Sequence, residues 1–200
     1  MSHRARQIVA AALPIIVLVA LEAATVSQQG AETFSGKVDV IRRHGETGDR
    51  AGARRTAVTQ DELNSWFTYR AQPLLPAGLS QPTVTIVGQG RLAGQAVVDL
   101  DAIAKRRASG GTFDPWSLVA GRVPLNVTGT LHTRDGMGRF EVQSAEISGV
   151  PVPTTLLQEL VSLYSRSPER PQGFRLDDPF ALPANIRQIE IGQGQAVVVQ

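Results

Sequence analysis

Arg122-Val-Pro-Leu-Asn-Val-Thr-Gly-Thr-Leu-His132 sets Val123, Leu125, Val127, Gly129 and Leu131 against Arg122, Pro124, Asn126, Thr128, Thr130 and His132. Successive side chains of a strand point to opposite faces, so this alternation predicts a strand with one buried and one wet face. Asp135-Gly136 is a hairpin turn signal, and Arg139–Ile147 returns antiparallel. The apolar phase of the return moves from Phe140 and Val142 to Ala145 and Ile147, which predicts a bulge.

Working outward, Pro82–Gly88 and Leu92–Leu100 flank a Gly88-Gln89-Gly90 turn, and Ile186–Ile191 and Ala196–Val199 flank Gly192-Gln193-Gly194. The two hairpins echo each other and are expected in one sheet. Thr59-Gln60-Asp61-Glu62 has the form of a capping box, and Leu63, Trp66 and Phe67 follow at helical spacing, so 60–70 reads as a helix closed by Pro73 and Pro76. A second helix begins near Pro153 and carries Leu156, Leu157, Leu160, Val161, Leu163 and Tyr164. The expected fold is α+β: a curved, mainly antiparallel sheet built from hairpins, with two short amphipathic helices packed on one face. Residues 58–200 form the domain, with loops at 105–121 and 165–183. Residues 27–57, rich in glycine and charge, read as a polar linker with a short strand at Lys37–Arg42.

Residues 1–26 are of another kind. Arg4 and Arg6 precede an apolar run from Ile8 to Leu21, which Ala23, Ala24 and Val26 extend past Glu22. A positive flank before a hydrophobic stretch is the order of an export signal, and about 20 apolar residues span a bilayer. Two readings follow: a signal peptide that is cut, or an N-terminal anchor in which residues 8–26 hold the chain in the membrane. Either places the domain outside the cytoplasm, membrane-anchored or secreted into the periplasm.

Without residues 1–26 the chain keeps 18 basic and 17 acidic residues, and its basic residues fall in short pairs such as Arg54-Arg55. Nucleic acid, which demands a basic stripe, is disfavoured. The chain has no cysteine, which excludes disulfides, thiolate metal sites and a lipidated cysteine anchor. Gly88-x-Gly90-x-x-x-Gly94 is followed by a strand where a dinucleotide fingerprint needs a helix N-terminus. His3, His44 and His132 are far apart in sequence, and His132 lies on the polar face of its strand. Asp99 and Asp101 share a strand face and read as solvated. No catalytic residue, cofactor or metal site is expected.

What remains is two apolar helix faces. Leu63, Trp66 and Phe67 form one; Leu156, Leu160, Val161 and Tyr164, with Leu157, form the other. They either fill a core or line a cleft that takes a lipid or other apolar ligand, because both need the same inward-facing residues. Thr59-x-x-Glu62-Leu63-Asn64 opening a helix, two strand pairs, Gly149-Val-Pro-Val-Pro153 opening a second helix, and a closing hairpin resemble the small YpmS-type envelope proteins. The layout over 59–200 is more remotely similar to the tubular lipid-binding superfamily. The resemblance implies an external α+β domain behind a membrane anchor, and a lipid held against a sheet. It implies no catalytic residues. A non-enzymatic lipid-binding protein near the membrane is the first expectation. A module docking another envelope protein is the second. An envelope hydrolase using His132 is the third.

Overall fold

The computed structural model describes residues 25–48, 52–102, 121–166 and 170–200, with the backbone alone at 160, 163 and 164. The apolar run to residue 24 and nearly all of the 105–121 loop lie outside the described residues. Among the described residues, no helix is long and apolar enough to cross a membrane.

The linker reading of 27–57 is overturned at once. Helix α1 runs Gln28–Thr47, with the Ser27 hydroxyl accepting from the Gly30 amide as its N-cap. Ala31, Phe34 and Ile41 recur at helical spacing; Ala31 and Ile41 are buried, while Val38 of the expected Lys37–Arg42 strand faces solvent. Two of its glycines are contact points, not hinges. A side chain at Gly30 would strike the Ser65 hydroxyl, and one at Gly45 would strike the Ala184 carbonyl. β1 (Arg55–Thr59) follows and leads directly into α2 (Gln60–Tyr69). The expected capping box is formed: Thr59 Oγ1 accepts from the Glu62 amide, and Glu62 Oε2 accepts from the Thr59 amide. α1 packs on α2 through Phe34 and Trp66, whose ring centroids are 5.5 Å apart, and through a part-buried Lys37–Glu62 ion pair at 2.7 Å.

The antiparallel strands β2 (Leu79–Gly88), β3 (Arg91–Asp99), β4 (Arg122–Arg134), β5 (Met137–Ile147) and β6 (Val150–Pro151) form one sheet in sequence order. β7 (Phe180–Ala181) pairs with the start of β5. Its hairpins turn through pairs of residues with positive φ, Gln89-Gly90, Asp135-Gly136 and Ser148-Gly149, a backbone twist that matches paired strands. The expected bulge is present, opposite the Thr128/Gly129 step of β4. α3 (Thr154–Tyr164) starts after Pro153. β8 (Gln188–Ile191) and β9 (Gln195–Val199) do not join this sheet. They form a second one with β1, in the order β1-β9-β8.

The two Gly-Gln-Gly hairpins therefore belong to different sheets, but their tips meet. A Cβ on Gly88 would lie 3.4 Å from the Gln193 amide nitrogen, and the Gly194 amide donates to the Ile86 carbonyl. One core gathers Val98 and Leu100 with Leu79, Val123, Leu125, Ile147 and Leu156; the other gathers Ile41, Leu182, Ile186 and Val198 with Phe180 and Ile189. The fold is α+β with antiparallel sheets, as the hairpin pattern implies.

Candidate functional site

The register of the larger sheet assigns each strand residue to a face. One face carries Val84 and Ile86 of β2; Leu92, Gly94, Ala96 and Val98 of β3; Val123, Leu125, Val127, Gly129 and Leu131 of β4; and Phe140, Val142, Ala145 and Ile147 of β5. All of these are apolar; Thr133, farther along β4 on the same face, donates its hydroxyl to the Ile189 carbonyl. The opposite face carries Thr83, Gln95, Asn126, Thr128, Thr130, His132 and Glu141.

The apolar face is covered at its ends. Leu156 of α3 packs on the Val98–Leu100 end, and Ile86 is buried where the second sheet abuts β2. Between them, Val84, Gly94, Ala96, Leu125, Val127 and Val142 are half-buried. Gly94 marks the middle of this strip. Among the described residues, the nearest atom to a Cβ added there is the Val127 carbonyl oxygen at 3.9 Å, an ordinary contact distance. A half-open hollow of about 250 Å³ adjoins the strip at Val142 and Ala145, lined also by Val152, Leu157, Gln143, Ser144 and Glu146.

The expected helix faces divide between several tasks. Leu63, Trp66 and Phe67 are half-buried, and Trp66 lies between Phe34 of α1 and Phe67, so its ring joins two helices. Leu156 meets the sheet, and Val161 is half-buried. The side chains of Leu160 and Tyr164 lie outside the described residues. α2 does not lie over the middle of the sheet. Its Asn64 side chain binds both backbone groups of Val84 (Val84 N to Oδ1 2.8 Å, Nδ2 to Val84 O 2.9 Å), and Gln60 Oε1 accepts from the Ile86 amide at 2.8 Å. α2 thus closes the outer edge of β2, while α3 covers the other end of the apolar face. The alternation that locates the strands also contains the strip residues, but nothing in it singles them out.

Larger hollows exist elsewhere. One of about 870 Å³ lies among His44, Asn185, Ile186, Arg187 and Gln200. Several of its polar groups are hydrogen-bonded: Asn185 donates to the Gly45 carbonyl, Arg187 to Gln200 O, and Gln200 Nε2 to the Ile41 and Ala184 carbonyls, while Gln200 Oε1 is buried with no hydrogen-bond partner among the described residues. Another, about 550 Å³, is an open groove along His132, Arg139 and Ile189. His132 Nε2 lies 3.4 Å from Glu141 Oε2 with more than half of each side chain in solvent, a geometry for a weak surface pair. Asp99 and Asp101 do not share a strand face: Asp99 ends β3 opposite Arg122 and its carboxylate accepts from the Ala102 amide, while Asp101 lies in the helical turn that follows. No cluster of metal-ligating side chains occurs among the described residues.

No family model, curated protein or solved structure matches the chain.

Proposed function

We propose that the protein binds an acyl chain or similar apolar ligand along the strip Val84–Gly94–Ala96–Val127–Val142, next to the membrane that residues 8–26 enter. The observation that carries this reading is the mismatch between composition and cover. The strip is wholly apolar, yet its residues are only half-buried, and the nearest described atom to a Cβ added at Gly94 is 3.9 Å away. Transferring apolar surface out of water gains about 25 cal/mol per Å², so a half-buried strip favours an oily occupant over water. The strip presents no charge, which suits the hydrocarbon part of a lipid better than its headgroup.

Native mass spectrometry of the full chain, extracted gently from its own membrane, tests this. The wild type should carry a lipid-sized adduct, and Gly94→Leu should lose it while unfolding at the same or higher denaturant. An adduct-free wild type, or an adduct indifferent to Gly94→Leu, overturns the proposal.

A module for docking another envelope protein is the second reading, favoured by β5. Among the described residues, β7 pairs with Met137–Gly138 and β6 with Glu146–Ile147, so the stretch between them is where a partner's strand could add. Crosslinking from position 141 in intact cells should then capture a protein partner.

A further inference from the structure

We infer that the outer edge of β5 binds a short extended segment of another protein as an added strand, with an apolar side chain of that segment at the hollow beside Val142 and an acidic one opposite Arg139. This deepens, and rests on, the docking reading of the same strand.

The register decides which backbone groups are on offer. Two-residue turns at Asp135-Gly136 and Ser148-Gly149 place Arg134 opposite Met137 and Ile147 opposite Val150. In such hairpins the flanking pair is the hydrogen-bonded one, and the direction alternates from there. Met137, Arg139 and Glu141 therefore bond to β4, while Gly138, Phe140 and Val142 turn their backbone groups to the other side. Gly136, in step with these, gives its amide to the Arg187 carbonyl and its carbonyl to the Leu182 amide. The bulge at Gln143 shifts the phase, so Ala145 also faces outward, and its carbonyl accepts from the Val152 amide. Among the described residues, the outward N–H and C=O groups of Phe140 and Val142 have no partner.

Other edges are closed by side chains. Asn64 occupies both backbone groups of Val84 on β2, and Thr133 Oγ1 does the same for Ile189 on β8. The opening on β5 has stops at both ends: β7 fills the edge at Gly138, and Val152 and β6 fill it from Ala145 onward. Residues 139–144 are left, roughly 20 Å of strand. The 11-residue β5 of a second copy would run into both stops, whereas a segment of about five residues fits. The hollow of about 250 Å³ at Val142, with Val152 and Leu157 in its lining, adjoins this opening and suits an apolar side chain. Arg139 is exposed and has no ion-pair partner among the described residues, which selects an acidic residue opposite it. In strand addition the main chain supplies affinity and such side-chain contacts supply selectivity.

The probe is the peptide acetyl-Thr-Val-Lys-Val-Asp-amide, whose last four residues would lie antiparallel opposite Val142, Glu141, Phe140 and Arg139. Amide exchange of the full chain in mild detergent should slow about tenfold at Phe140 and Val142 when the probe saturates. N-methylation of the probe's two valines, whose amides face β5, should abolish this, and N-methylation of its lysine and aspartate should not. Arg139→Glu should lose the protection and regain it with lysine in place of the probe's aspartate. No protection by the probe overturns this inference. If crosslinking from position 141 still captures a protein, docking by another mode stands; if it does not, both fall. Protection that appears without the probe as protein concentration rises assigns the edge to a second copy, and overturns the partner named here.

Discussion

Asn64 does the work of a neighbouring strand. The outer edge of β2 offers backbone groups at Val84 and Ile86, and all four are taken: both of Val84 by the Asn64 amide, and those of Ile86 by Gln60 and Gly194. Pro82 has no N–H to offer. An open edge invites association, so these contacts serve solubility as well as stability. Asn64→Leu keeps the approximate volume but strands two polar groups of Val84. It should cost about 1–3 kcal/mol in urea unfolding, and light scattering should show new association. Arg55 and Glu190 lie on strands that flank β9, with Arg55 Nη1 3.0 Å from Glu190 Oε1. The hydrogen bond from Arg55 holds the Glu190 carboxyl below its ordinary pKa. A lowered carboxylate pKa contributes stability that is present above the unfolded-state value and lost as pH falls through the folded value. The pair is in solvent, so the effect is small and weakened by salt. The Glu190→Gln variant should have a slightly lower urea midpoint than wild type at pH 7, and the two should converge in acid.

At the scale of elements, α1 is integral to the domain. It supplies Phe34 to Trp66, Lys37 to Glu62 and Ile41 to the second core. A fragment of residues 25–200 should fold; one of residues 60–200, lacking α1 and β1, should lose its cooperative urea transition and be cut rapidly by protease. The hairpins were legible because a period of two and turns such as Asp135-Gly136 write themselves locally. α2 was legible through its capping box. α1 was not: only Ala31 and Ile41 of its twenty residues are buried, and its glycines look like slack until Ser65 and Ala184 are seen against them. Nor was the division into two sheets, because local alternation names a strand but not its partner; nothing near Gln195 says that it pairs with Thr59. The candidate site was half-legible for a related reason. Helical spacing singles out Trp66 and Leu156, whereas the proposed strip belongs to the sheet, whose alternation marks a buried face without saying what covers it.

For the whole molecule, the Gly94→Leu comparison separates two economies of burial. If the strip is an unfilled part of the interior, the added side chain stabilises and nothing else changes; if it is a berth, stabilisation comes with loss of cargo. The pairing of β1 with β9 has a different kind of consequence. Arg55 lies opposite Val199, and the Gln200 side chain donates to the Ile41 carbonyl across 159 positions of sequence. Contacts so distant along the chain are reached late, because the entropy of bringing them together must be met before they give anything back. A chain emerging residue by residue can zip its middle hairpins and lay α1 on α2, but β1 waits for β9. Until the last strand arrives, the first one remains an unlatched end, and the interval between them is when a chaperone or a protease has its opportunity.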